Sequence, residues 1–357
     1  METSRVSTYL LEFHLAESLD KDSVVSTLLA LLEKHFESCQ QLLRDDSLVL
    51  AQLPNKSFTT LQFKSPRLLL QNIDLMTTCQ EADVRKYFDE VCETLNCSPS
   101  KFIPPIHRGG ELDSCRYLTS SDGRILEYDV DKVVVDVKSK YQRIQILHTV
   151  SFGNLLVLDD LQNLAESDLI YTESLMHRGK IDYSGKDVLI LGGGDGALLW
   201  ELLQEKPNMV TMVEIDETVI QSCRQHLRAA CGSALDSYEG PNHKIIIGDC
   251  MEQLNNFQSN GVKFDFVFAD LTDIPLAPEP QNEEWQFLQN VLIISLGLLK
   301  DSGRFLTHGS GVSSVASLKL FEEFLGEVKP LVEFERSKAY VPSFMEEWVF
   351  YQVWKRS

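Results

Sequence analysis

No apolar run in this chain reaches the about 20 residues that a membrane-spanning helix needs. The longest, Val291 to Leu299, is roughly half that length and is interrupted by Ser and Gly. The opening METSRVSTYLLEFH has too short an apolar stretch, broken by acid, to act as a secretory signal. No Cys-x-x-Cys pair occurs among the eight cysteines, Cys39, Cys79, Cys92, Cys97, Cys115, Cys223, Cys231 and Cys250. None lies at ligand spacing from a His, so no metal is expected. Scattered thiols without a leader fit free cysteines in a reducing, cytoplasmic compartment. Basic residues are in deficit: 33 Lys and Arg face 53 Asp and Glu, for a net charge of −20. That balance excludes nucleic acid and anionic membrane surfaces as partners, since both repel acid. Alone it signals no more than solubility. It gains meaning only where acids converge.

The 357 residues are enough for two or three domains, and 43% apolar with 24% charged residues is ordinary for a globular chain. Residues 1–105 form the first expected unit, of α/β type. Lys21 to Phe36 and Glu81 to Leu95 carry apolar stripes at helical spacing, with Asp20 or Asp22 placed to cap the first. SLVLAQL, FTTLQF and LLLQNIDLM between them have strand patterns. CSPSKFIPPIHRGG, rich in Pro and Gly, is the expected linker. Residues 106–168 favour short antiparallel strands, with Asp122-Gly123 and Phe152-Gly153-Asn154 as hairpin turns. Residues 169–357 alternate strand and helix, which predicts a doubly wound, Rossmann-like α/β domain.

Within that last domain four acids end four successive apolar runs. They are Asp195 in DVLILGGGDG, Glu214 in VTMVEID, Asp249 in KIIIGDC and Asp270 in FDFVFADLTD. Ligands of open parallel sheets bind beyond the carboxyl ends of the strands, so these acids should meet in one crevice. Unpaired like charges at close range raise one another's pKa, so such a cluster calls for a cationic ligand.

The glycine turn after the first strand serves dinucleotide enzymes, methyltransferases and nucleotide binders alike. Glu214, 20 residues after Gly194, stands where a carboxylate accepts from a ribose diol. Asp249 is not needed by a dinucleotide fold, whereas folds for S-adenosyl nucleotides often place an acid there for the adenine amine. Asp195 would repel a pyrophosphate and suits a cation. Ala269-Asp270-Leu271-Thr272-Asp273 lacks the Asn/Asp-Pro-Pro-Tyr motif of many amino-group methyltransferases. The residues therefore point to an adenosyl sulfonium whose reactive arm carries an amine. A small-molecule N-methyltransferase and a non-catalytic acidic interaction protein are the alternatives.

GGGDG, VEID, GDC and the ADLT loop, taken in order, resemble the aminopropyltransferases. IPPIHRGG, YQRIQILHTVSFGNLLVLDD, NLAESDLIYT and VPSFMEEWVFYQVW resemble the spermine synthase branch of that family, as does the long N-terminal domain. The resemblance implies transfer of an aminopropyl group from decarboxylated S-adenosylmethionine to spermidine, giving spermine and 5′-methylthioadenosine. No cofactor is implied, because the donor is a co-substrate. By the same resemblance Gln142 and Glu214 would hold the ribose. Asp249 and Cys250 would meet the adenine, with Gly192 and Gly194 in the donor turn. Tyr171, Asp195, Asp270, Phe344 and Glu346 would line the polyamine channel, with Asp270 receiving the proton of the attacking amine and Asp195 positioning that amine. The family further implies a homodimer joined through an N-terminal domain like S-adenosylmethionine decarboxylase. Phe344 stands where a Tyr is expected, and Asp273 where a neutral residue is expected. Both bear on the acceptor, so a spermidine synthase or a mixed-acceptor enzyme is the alternative within the family.

Overall fold

The computed structural model describes residues 5–16, 19–76, 81–97, 100–271 and 283–356. Asp273 and Cys79 lie outside them. The chain divides into two compact units, Met1–Ser114 and Cys115–Ser357.

The first unit is one antiparallel sheet with two helices on one face. Its strands are β1 (Val6–His14), β2 (Gln40–Arg44), β3 (Leu48–Leu53), β4 (Ser57–Ser65), β5 (Leu68–Met76) and β6 (Ser100–Arg108), in the order β2-β3-β4-β5-β1-β6. Helices Lys21–Phe36 and Glu81–Leu95 span the expected residues. Asp20 caps the first, its side chain accepting from Ser23 N at 3.0 Å. Alternation in the strands sends Tyr9, Leu11, Phe13, Val49 and Ile73 into a core with Val24, Leu28, Leu32, Tyr87 and Val91 of the helices. The opposite face carries Leu10, Leu48, Leu50 and Leu70, all half-buried.

Three features of this unit differ from the sequence reading, the first being strand β2, which was not foreseen. The β1 strand was not foreseen, although the alternation of Tyr9, Leu11 and Phe13 carries it. The expected linker is largely strand β6, paired antiparallel with β1. Pro104 and Pro105 fall at a register shift opposite Tyr9, on the sheet's outer edge. Edges and bulges are where a strand tolerates residues without an N–H.

The second unit begins with a hairpin, β7 (Tyr117–Thr119) and β8 (Ile125–Glu127). A meander follows, β9 (Val130–Lys138), β10 (Arg143–Thr149), β11 (Gly153–Leu158) and β12 (Leu161–Ala165). Both expected hairpin turns are present, at Gly123 and Gly153 with φ of 79° and 75°. The large sheet holds β13 (Asp187–Gly192), β14 (Met209–Glu214), β15 (His243–Ile247), β16 (Phe264–Asp270), β17 (Leu299–Gly311), β18 (Val332–Val341) and β19 (Glu346–Lys355). Its order is β15-β14-β13-β16-β17-β19-β18. The first five are parallel, and β19 runs antiparallel to β17. The helical segment after β14 is two pieces, Glu217–His226 and Arg228–Cys231. The break falls at Leu227, whose side chain is fully buried and whose ψ of 34° is not helical.

Both faces of this sheet are buried, as parallel strands require. Val188, Ile190, Met212 and Phe268 point to one core, while Leu189, Leu191, Val213 and Val267 point to the other. The chain winds from β13 to β14 and β15 on one side, then crosses to β16 and β17 on the other. The turns leaving β13 and β16 therefore diverge, and a crevice opens between their carboxyl ends.

Leu28 is fully buried between the helices and the first sheet. Leu28→Ala is expected to destabilise that unit by about 2–5 kcal/mol, measured by urea titration of its amide signals.

Candidate active site

At the crevice lies a cavity of about 340 Å³, lined by Gln142, Tyr171, Gly194, Asp195, Glu214, Asp270 and Phe344 among others. Five strand ends and loops and one helix, far apart in sequence, thus meet in one space.

The glycine turn brings the two central acids together. Gly192 pairs in register with Asp270, and Gly193 N donates to the Asp270 carbonyl at 3.1 Å. A Cβ at Gly192 would lie 2.1 Å from that carbonyl oxygen, and its φ is +81°. Only glycine allows this approach. A Cβ at Gly194 would meet Glu214 Oε2 at 2.8 Å, so this glycine leaves room for the next acid.

Asp195 accepts from Ala197 N at 2.8 Å. Asp270 Oδ1 accepts from the Tyr171 hydroxyl at 3.0 Å. Both carboxyls are half-buried, ringed by protein and open only to the cavity. Burial holds both pKa values well above the ordinary carboxylate range, and the charge of Asp270 raises Asp195 further. Among the described residues no basic side chain pairs with either. Tyr171 stays a hydrogen-bond donor, since burial and Asp270 push its phenol far up. Its ring is packed by Phe350 at 5.4 Å and Phe344 at 5.9 Å.

On the β14 side, Glu214 Oε1 accepts from Asp216 N at 2.8 Å, and burial pushes its carboxyl up to about 7. Gln142 Nε2 donates to Asp216 Oδ2 at 3.2 Å. Asp216 is itself buried and caps the helix Glu217–His226 through Thr218 N. Its place two residues after Glu214 and just before a helix was a legible capping signal.

Asp249 and Cys250 begin the helix Cys250–Ser259 beyond β15, next to β14. Asp249 is exposed and caps that helix, accepting from Met251 N at 2.7 Å. Cys250 is buried, its thiol pushed up to about 12 by burial and by Asp249. Neither lines the cavity, nor do Gly192 and Glu346. Phe344 does, with its ring 4.7 Å from Trp348. Glu346 opens β19 and is buried, accepting from Ser121 N at 3.0 Å and Ser121 Oγ at 2.9 Å.

Three residues were missed. His308 lines the cavity between Tyr171 and Trp348, and burial lowers its pKa against the pull of two carbonyls, Gly309 and Leu271. Trp348 completes that aromatic wall. Asp168, 1% exposed, accepts from Ser343 N, Ser343 Oγ and Ala165 N at 3.0, 2.5 and 2.7 Å. It ties the turn before Phe344 to the helix Leu169–Leu175 that carries Tyr171. Nothing in NLAESDLIYT sets this acid apart, because its partner is distant in the chain.

Comparisons with known proteins bear on the family and the fold. The family model described as the spermine/spermidine synthase domain matches residues 168–357, and the spermidine synthase tetramerisation domain matches residues 117–166. A polyamine aminopropyltransferase of Hyperthermus butylicus is 33% identical over 61% of this chain and 73% of its own. One from Thermococcus onnurineus is 34% identical over 52% of this chain and 62% of its own, and one from Escherichia fergusonii is 36% identical over 42% and 51%. Among solved structures, a spermidine synthase in complex with a transition-state analogue superposes with a TM-score of 0.57 at 22% identity. It covers 68% of this chain and 80% of that one, and shows the same fold.

Folding here takes up protons, because the raised acids hold them more tightly than the unfolded chain does. For Glu214 the stabilisation is complete below its ordinary 4.5 and lost as pH rises through about 7. Glu214→Gln is therefore expected to gain a few degrees of Tm relative to wild type between pH 5 and pH 8, in scanning calorimetry without ligand. Gly192→Ala is expected to cost about 1–3 kcal/mol from its backbone conformation alone, and more through displacement of Asp270, in a urea titration.

With the fold, the acidic crevice and a matched segment of more than half its length in agreement, the chain belongs to the spermine/spermidine synthase family of polyamine aminopropyltransferases.

Proposed function

We propose that this protein makes spermine, by transferring the aminopropyl group of decarboxylated S-adenosylmethionine to spermidine. The observation that carries the reading is the pair Asp195 and Asp270, enclosed, raised in pKa and without a basic partner among the described residues. Such a pair is relieved by a cation. The donor brings a sulfonium and an ammonium, and the acceptor brings two or three ammonium groups. Intact S-adenosylmethionine carries an extra carboxylate, which this cavity would repel.

The attacking amine has a pKa of roughly 10 and arrives protonated. Asp270, oriented by the Tyr171 hydroxyl, is the group that takes its proton. Asp195, anchored to the Ala197 amide, keeps the remaining carboxylate oxygen for positioning the amine. The freed nitrogen pair then bonds to the methylene carbon next to the sulfonium. The carbon–sulfur bond breaks, its electrons pass to sulfur, and neutral 5′-methylthioadenosine leaves. The leaving group is already good, so the protein contributes mainly placement and proton transfer. Gln142, Glu214 and the glycine turn suit the nucleoside. Asp249 and Cys250, one strand further along, would meet the adenine once it is bound.

Spermidine as acceptor is favoured by the long N-terminal unit and by Glu346, a buried carboxylate bound to the cavity-lining Ser121. Phe344 offers no hydroxyl, so putrescine as acceptor is the second reading. The half-buried Leu10, Leu48, Leu50 and Leu70 on the helix-free face of the first sheet suit a second copy, as in a homodimer formed through that unit.

Decarboxylated S-adenosylmethionine is to be incubated with putrescine or spermidine in separate reactions and the polyamines separated by chromatography. Spermine from spermidine alone is expected. Product from putrescine alone would reverse the assignment. Asp270→Asn and Asp195→Asn are each expected to lower kcat about a hundredfold or more. Removing residues 1–114 is expected to leave a monomer of low activity, and a dimer by light scattering would refute the dimerisation role.

A further inference from the structure

Sheet order divides the cavity into three parts. Glu214 lies at the end of β14, Asp195 and Asp270 at β13 and β16, and Gly309 and Ser310 in β17, on the other side of the centre. That far part is lined by hydroxyls, Ser120, Ser121, Ser310, Ser314 and Ser317. Among the described residues, the cavity is lined by no carboxylate besides Asp195, Glu214 and Asp270. Glu346 lies behind, 7% exposed and absent from the cavity wall.

Ser121 is what separates them. Its backbone N–H and its hydroxyl bind the two oxygens of Glu346, at 3.0 and 2.9 Å. Ser121 is fixed in turn by Ser314, whose hydroxyl donates to the Ser121 carbonyl at 2.9 Å. Gly311 packs against both groups, since a Cβ there would lie 2.2 Å from Glu346 Oε2 and 2.3 Å from Ser121 Oγ. Among the described residues no basic side chain is ion-paired with Glu346. Arg124, the cation whose field reaches it, is committed to Asp122 at 2.7 Å. A serine hydroxyl has one proton and two lone pairs. Here the proton goes to Glu346, and no described group donates to the Oγ lone pairs of this cavity-lining serine.

We propose that Ser121 is a specificity-determining residue for the length of the amine acceptor. Its oxygen, polarised by Glu346, receives the far ammonium of a triamine, while a diamine has no third nitrogen to offer. This rests on the reading of the cavity as an oligoamine site. A hydrogen bond to a charged group contributes about 1.5–3 kcal/mol, enough to set a preference of about tenfold or more.

The test is calorimetric titration of the full chain, saturated with 5′-methylthioadenosine, with spermidine and with putrescine. Wild type is expected to bind spermidine more tightly. Ser121→Ala is expected to reduce the spermidine-to-putrescine affinity ratio about tenfold or more. Ser121→Thr, which keeps the hydroxyl, is expected to retain the ratio. Glu346→Gln is expected to reduce it, and adding Ser121→Ala to that variant to change it little further, because the two act as one unit. An unchanged ratio in Ser121→Ala overturns the proposal, and so does equal weakening of both amines, which would mark a structural clamp. Turnover is assayed separately. Binding with this preference but no aminopropyl transfer would refute the function and leave the role of Ser121. Transfer with an unaltered ratio would do the reverse.

Discussion

The organisation of the catalytic unit turns on the burial of Asp195 and Asp270 in one crevice without a compensating cation among the described residues. Burying a carboxylate is costly unless it is paired or protonated. The described residues offer amide and phenol donors to these groups but no ion pair. Both acids therefore hold protons more tightly than usual. The cost is borne by the fold around them, with two buried cores pinning β13 and β16 in register.

Several devices aim the acids at this space. The reversal of strand order between β13 and β16 opens the crevice. Gly192 lets the turn approach the backbone of Asp270, and Gly194 leaves room beside Glu214. Asp216 serves twice, capping a helix and holding the Gln142 amide. Asp168 uses both carboxylate oxygens to fasten the turn at Ser343 beside the Tyr171 helix. The β14 side of the cavity thus depends on strand ends and helix caps, while the side of Tyr171 and Phe344 depends on contacts between distant segments.

How far the sequence led can be argued from particular positions. Four acids after four apolar runs imply a common crevice, since parallel strands present their carboxyl ends together. Asp195, Glu214 and Asp270 meet there. Asp249 also follows its strand, but its side chain caps a helix and lies outside the cavity. The prolines of Ser100–Arg108 suggested a linker, yet an edge strand with a bulge accommodates them.

Local pattern by itself determined the helices Lys21–Phe36 and Glu81–Leu95, the alternating α/β order, the glycine turn and the strand-end acids, because periodicity and turn chemistry act over a few residues. The tertiary structure alone decided which side chains shield which. His308 beside Tyr171, Asp168 under Ser343 and Ser121 over Glu346 join residues more than 100 apart in the chain. Such pairings leave no periodic trace, and a serine or histidine that lines a cavity carries the same letter as one in solvent. Burial, which raises the pKa of Asp195 and Asp270, is likewise a property of the packed fold, not of either residue's neighbours in sequence.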